Sequence, residues 1–98
     1  MTIHQTKNGT ALTIALVGRL DTFTAPDLET ALQQGLDGVE SLVFDCGQLD
    51  YISSAGLRVL LIAQKRMNRQ GAMKLIGVNE LNMEVLEATG LTEVLTIE

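Results

Sequence analysis

The sequence predicts an α/β fold: a mixed β-sheet with three helices, in the order β-β-α-β-α-β-α-β, as one domain over residues 1–98. Three observations predict it. Apolar runs of strand length alternate with longer segments of helical periodicity. Each helical segment begins with a capping residue flanked by an apolar pair at the spacing of a hydrophobic staple. Gly or Asn-Gly punctuates the changes of pattern, at Asn8-Gly9, Gly35, Gly38, Gly71 and Gly90.

Thr2 to Lys7 and Thr10 to Val17 read as two strands, joined by Asn8-Gly9, a favoured hairpin turn. In the second strand Leu12, Ile14 and Leu16 alternate with Thr13, Ala15 and Val17. Neither face is very polar, so cover is expected on both sides. Thr24 is the expected cap of the first helix, with Pro26 and Asp27 in its first turn and Phe23 with Leu28 as its staple. Leu28, Ala31, Leu32 and Leu36 form its apolar face, and Gly35 and Gly38 mark its end.

Ser41 to Cys46 contains Leu42-Val43-Phe44, a continuous apolar run suited to a buried parallel strand. A second helix follows the pair Ser53-Ser54 and runs to about Arg69. Lys65, Arg66 and Arg69 suit the negative end of its dipole, and Gly71 ends it. Met73 to Val78 is the next strand. Asn79 caps the third helix, with Val78 and Met83 as staple and Leu81, Val85, Leu86 and Ala88 as its buried side. Gly90 closes that helix, and Glu93 to Ile97 reads as the last strand. The helix-linked strands are expected to run parallel with right-handed crossovers.

The bulk numbers exclude several functions. A formal charge of −5 argues against nucleic-acid or anionic-membrane binding as the main task, since both draw on clustered Lys and Arg. No apolar stretch approaches the roughly 18 residues of a membrane span, so direct insertion is not expected. No signal peptide is evident. With a single cysteine, Cys46, no internal disulfide forms, and a reducing cytoplasm is the expected compartment. Only 3% of residues are aromatic, so Leu, Val, Ile, Ala and Met must build the core. Cys46 is expected inside it as an inert thiol. His4 has no acid and nucleophile pattern near it. No constellation of residues supports catalysis, so no enzyme activity is expected, and no spacing suggests a metal site or a cofactor.

The run Leu49-Asp50-Tyr51-Ile52-Ser53-Ser54-Ala55-Gly56-Leu57-Arg58 carries the functional signal. If Ser53 is the N-cap, Ile52 and Leu57 stand at staple spacing, and Ser54 falls at the first helical position. Ser53 then holds the helix start, and the Ser54 hydroxyl is free for chemistry. A phosphate there would meet the positive end of the helix dipole. Gly56 in the first turn costs about 1 kcal/mol relative to Ala. It leaves room either for a partner's backbone or for close packing inside the domain.

These residues resemble the anti-sigma factor antagonist family, the single-domain form of the STAS fold, over nearly the whole chain. Gly18-Arg19-Leu20-Asp21 is similar to its Gly-x-Leu-Asp after the second strand. Leu42-Val43-Phe44-Asp45 with Leu49-x-Tyr51-Ile52-Ser53-Ser54-x-Gly56-Leu57 is similar to its phosphorylation segment, and Ala88-Thr89-Gly90-Leu91 to the end of its third helix. Two departures stand out. Ser53 replaces a frequent Asp, which keeps a capping residue but removes a charge, and Cys46-Gly47 replaces the usual Leu-Ser.

The resemblance implies phosphorylation at Ser54 by a serine kinase that doubles as the anti-sigma factor, and reversal by a serine phosphatase. It implies a partner-binding surface of Asp21, Ser53, Ser54, Gly56, Leu57 and Arg58, on a protein that is monomeric when free. Two other readings stand beside it: a STAS subunit of a membrane transport complex that docks constitutively, and a module binding a small anion or nucleotide at the helix start.

Overall fold

The computed structural model describes residues 1–98. Strands β1 (Thr2–Asn8), β2 (Ala11–Leu20), β3 (Ser41–Ile52) and β4 (Ala72–Ile76) form one sheet in the order β1-β2-β3-β4. β1 and β2 are an antiparallel hairpin; β2, β3 and β4 run parallel. Helices α1 (Ala25–Gly35) and α2 (Ser54–Gln70) make the two crossovers, and α3 (Glu80–Ala88) follows β4. The mixed sheet and three helices are those expected from the sequence.

The core lies on one face of the sheet. Leu12, Ile14 and Leu16 of β2, Leu42, Phe44 and Cys46 of β3, and Met73 and Leu75 of β4 are buried there against Leu28, Leu32, Leu60, Ala63, Met67 and Leu86 of the helices. The alternate residues Thr13, Ala15, Val17, Val43, Asp45, Lys74 and Ile76 are only half-buried. The expectation that β2 is covered on both sides is therefore corrected. The strand order advances in one direction from β2 to β4, so crossovers of one hand return to the same face.

Both central strands are longer than their apolar runs suggest. β2 continues past Val17 to Leu20, and β3 continues past Cys46 to Ile52. The register shifts between Ala15 and Val17, whose partners on β3 are Asp45 and Gln48. The one extra β3 residue forms a bulge, which breaks the alternation that marks a strand in sequence.

The last expected strand, Glu93 to Ile97, is reduced to one parallel bridge between Leu75 and Ile97. Gly90 adopts φ +75°, and Leu91–Glu93 form a 3₁₀ turn. The amides of Glu93, Val94 and Leu95 bond back to Gly90 and Leu91, so they are unavailable for a ladder. Its backbone bonds to β4 are Leu75 N–H to Thr96 O and Glu98 N–H to Leu75 O, each 2.9 Å.

The helix starts differ in outcome. On α3, Asn79 caps as expected, accepting from Asn82 N–H at 2.8 Å. Its buried residues are Asn82 and Leu86, whereas Leu81 is 54% exposed and Ala88 lies at the surface. On α1, Thr24 occupies the cap position but its hydroxyl makes no capping bond. It donates instead to Arg19 O at 2.8 Å and accepts from Asp21 N–H at 2.9 Å. Phe23 is 88% exposed, so the Phe23–Leu28 staple does not form.

Cys46 is 1% exposed, and burial, aided by the Asp45 charge, pushes its thiol up to about 12. Native protein at pH 8 should leave the thiol unmodified by a chromogenic disulfide reagent, and denaturant should release full reaction. Rapid stoichiometric labelling of native protein would contradict this burial.

Candidate functional site

The carboxyl ends of β2 and β3 lie side by side, and α2 begins there. Leu20 pairs with Ile52, and Ser53 N–H donates to Leu20 O at 2.8 Å. Helix α3 grips the same segment from the other side. Asn82 is the one buried polar residue of the molecule. Its Oδ1 accepts from Ile52 N–H and its Nδ2 donates to Leu49 O, each at 3.1 Å. Asn79 Nδ2 adds a second bond to Leu49 O at 3.2 Å. The peptide groups leading into the serine pair are thus bonded to β2 and to α3, which fixes where the helix starts.

Ser53 is the N-cap of α2, with extended backbone and its Oγ accepting from Gly56 N–H at 3.3 Å. Ser54 follows at the first helical position, exposed and outside the capping bond. Ile52 and Leu57 are both buried, at the staple spacing the sequence gives them. The cap bond is long for N–H···O, so Ser53→Ala should cost near the lower end of the usual range, about 0.5–1 kcal/mol. Ser53→Asp should be near neutral, because Asp also caps. Urea titration of both variants checks this; equal large losses would contradict the capping role.

Gly56 is buried. A Cβ there would stand 2.6 Å from Leu20 Cγ and 2.9 Å from Leu20 O, so the glycine serves close packing of α2 on the end of β2. Leu57 lies in the core. Both shape the site from beneath, while Ser54 and Arg58, one turn apart on α2, lie exposed above them.

Asp21 adjoins the site just beyond Leu20. Its Oδ1 accepts from Phe23 N–H at 2.9 Å and Thr24 N–H at 3.1 Å, and its Oδ2 lies 3.8 Å from Arg19 Nε. Burial works to raise its pKa, but the Thr24 and Phe23 amides, the Thr24 hydroxyl and Arg19 outweigh it and hold the carboxyl below its usual range. Stability from these bonds is therefore full above the ordinary carboxyl range and is lost as pH falls through the lowered value. The carboxylate rigidifies the loop that presents Phe23.

Sequence reasoning missed three residues here. Arg19 pairs in register with Tyr51 and places its guanidinium 4.5 Å from that ring, at the edge of the site. Its signal was its place between Gly18 and Asp21. Asn82 stands four residues before the buried Leu86, where an apolar residue would continue the stripe, and that was its signal. Phe23 carried no signal of exposure, because its spacing to Leu28 imitates a staple.

Comparisons with known proteins agree with this architecture. The family model for the STAS domain matches residues 2–98. A Bordetella bronchiseptica protein that bears the name anti-sigma factor antagonist BtrV is 36% identical over 88 residues, covering 88% of this chain and 76% of its own. The crystal structure of an anti-sigma factor antagonist from Mycobacterium paratuberculosis superposes with a TM-score of 0.88 at 21% identity, over 98% of this chain and 83% of that one. The Bacillus cell fate determinant SpoIIAA in its phosphorylated form gives 0.70 at 18% identity, over 99% and 91%.

Proposed function

Since the chain belongs to the STAS domain family, we propose that it acts as an anti-sigma factor antagonist switched by phosphorylation at Ser54. Without phosphate, the start of α2 docks on an anti-sigma serine kinase and displaces the factor that kinase holds. With phosphate, it lets go. A serine phosphatase resets it. The protein itself is a binding partner and carries out no chemistry in this cycle.

The observation that carries the reading is the division of labour between the two serines. Ser53 is engaged in the cap, and Ser54 is exposed at the first helical position. A phosphate on Ser54 would add about −1.5 to −2 charge. In the free protein that charge is tolerated at a helix N-terminus, with Arg58 one turn away. In an interface it must shed water, which costs several kcal/mol. Asp21, Ser53, Ser54 and Arg58 form the docking surface, with Arg19 and Phe23 at its margin, and Gly56 and Leu57 set its shape. The name of the Bordetella relative and the existence of a phosphorylated form of the Bacillus protein support this reading.

The test is incubation of the chain with the anti-sigma kinase of the same organism, ATP and magnesium, followed by mass spectrometry. Phosphate on Ser54 is expected. Phosphate on Ser53 alone, or none, would overturn the mechanism.

A further inference from the structure

Helix α2 has no Asp or Glu between Ser54 and Gln70, and it holds Arg58, Lys65, Arg66 and Arg69, four of the chain's seven Lys and Arg residues. The chain as a whole has a formal charge of −5. One helix is therefore a cationic strip on an anionic molecule. Ser54, Arg58, Ile62, Lys65 and Arg69 are all exposed. Steps of four, four, three and four residues put them on one arc of the helix. At 1.5 Å per residue the strip is about 22 Å long.

Charge along this strip is largely uncommitted. Arg66, on its flank, is neutralised by Asp37 at 2.6 Å. The other ion pairs join Arg19 with Asp21 and Lys74 with Glu98, which leaves Arg58, Lys65 and Arg69 unpaired. Ile62, 39% exposed, sits midway along the strip. Together with Lys65, Arg66 and Arg69 it lines a shallow hollow of about 270 Å³. Glu29 of α1 reaches the groove beside Ile62 and Arg66, on the side away from Lys65 and Arg69.

We propose that this strip, from Ser54 to Arg69, is a docking track for an acidic protein face on the anti-sigma kinase, with Ile62 as its apolar anchor. The proposal rests on the reading of the chain as an anti-sigma factor antagonist. Charge complementarity selects the occupant: unpaired cations flanking an apolar side chain fit an acidic face with a hydrophobic centre. Three unpaired cations on a chain of this net charge make a poor footing for a nucleic acid or a bilayer. The track also deepens the switch. Phosphate at its head turns that end anionic toward an acidic partner and engages Arg58 within the same helix, removing the nearest cation from the docking face.

The test measures binding of unphosphorylated protein to the anti-sigma kinase of the same organism by calorimetry, at low and high salt. Lys65→Glu/Arg69→Glu should weaken binding about tenfold at low salt, and the gap should narrow at high salt. Lys65→Gln/Arg69→Gln should lose less. The same charge reversal should raise KM for phosphorylation of Ser54 and leave kcat unchanged. Arg69 favours the helix C-terminus, so Lys65→Glu alone, a turn earlier, serves as the second variant, with unfolding midpoints measured for each. Equal affinity of wild type and all variants would overturn the proposal. So would binding of random duplex DNA or phosphatidylserine vesicles as tight as that of the kinase. If wild type itself fails to bind the kinase, the anti-sigma reading fails, and the docking track with it.

Discussion

Phosphorylation of Ser54 is expected to weaken binding to the anti-sigma kinase by at least a hundredfold, while Ser54→Ala binds like the unmodified protein and cannot be switched off. The magnitude follows from desolvation. A phosphate left unpaired in an interface costs several kcal/mol, and each 1.4 kcal/mol is tenfold in affinity. Two such steps suffice to empty the complex at ordinary protein concentrations. The free protein escapes this cost because Ser54 is exposed at the first position of α2. There the positive end of the dipole and Arg58 both favour the added charge. The fold should therefore stay intact in both states, with similar unfolding midpoints. Ser54→Asp should fall between, since it brings one charge and fewer acceptor oxygens. Calorimetry with the kinase provides the affinities. Equal affinity for modified and unmodified protein would sink the switch and favour constitutive docking.

The largest loss of stability is expected from Gly71→Ala, about 3 kcal/mol or more. Gly71 has an extended φ of 166°, which any residue adopts, so the demand on this position is space. An added Cβ would lie 1.9 Å from Glu40 O and 2.7 Å from its carbonyl carbon. Both are backbone atoms, and neither can swing aside as a side chain would. Relief requires moving the backbone where Ala72 N–H donates to Glu40 O at 3.0 Å, which is where the β3–β4 ladder begins with Ser41 beside Ala72. For a domain of this size each kcal/mol shifts the melting temperature by about 4–8 °C, so a drop of about 12 °C or more should be seen by calorimetry. A melting temperature within a few degrees of wild type would contradict the close approach.

Much of the fold was legible because its signals are local. The Asn8-Gly9 turn, the apolar run Leu42-Val43-Phe44 and the caps Ser53 and Asn79 act within a few residues of themselves. Together these local signals located all three helices and the four strands of the sheet. The register of Ser53 and Ser54 was also readable, because Ile52 and Leu57 stand at fixed spacing from the cap. Elements whose local pattern is ambiguous were less legible. The bulge after Asp45 hid the second half of β3, and Phe23 imitated a staple although Asp21 holds its loop away from the core.

By itself the sequence determined the order of elements through α3, the single buried cysteine and the separate places of the two serines at the start of α2. Those depend on backbone propensities, capping and the period of apolar residues, which contiguous residues carry. Tertiary structure alone decided what occupies the space around them. It placed Asn82 under the peptide groups of Leu49 and Ile52, set Leu20 against Gly56 and Glu40 against Gly71, and left one face of the sheet open. Each of these joins residues about thirty or more positions apart, where no local pattern constrains the pairing and only close packing of the assembled chain fixes which atoms meet.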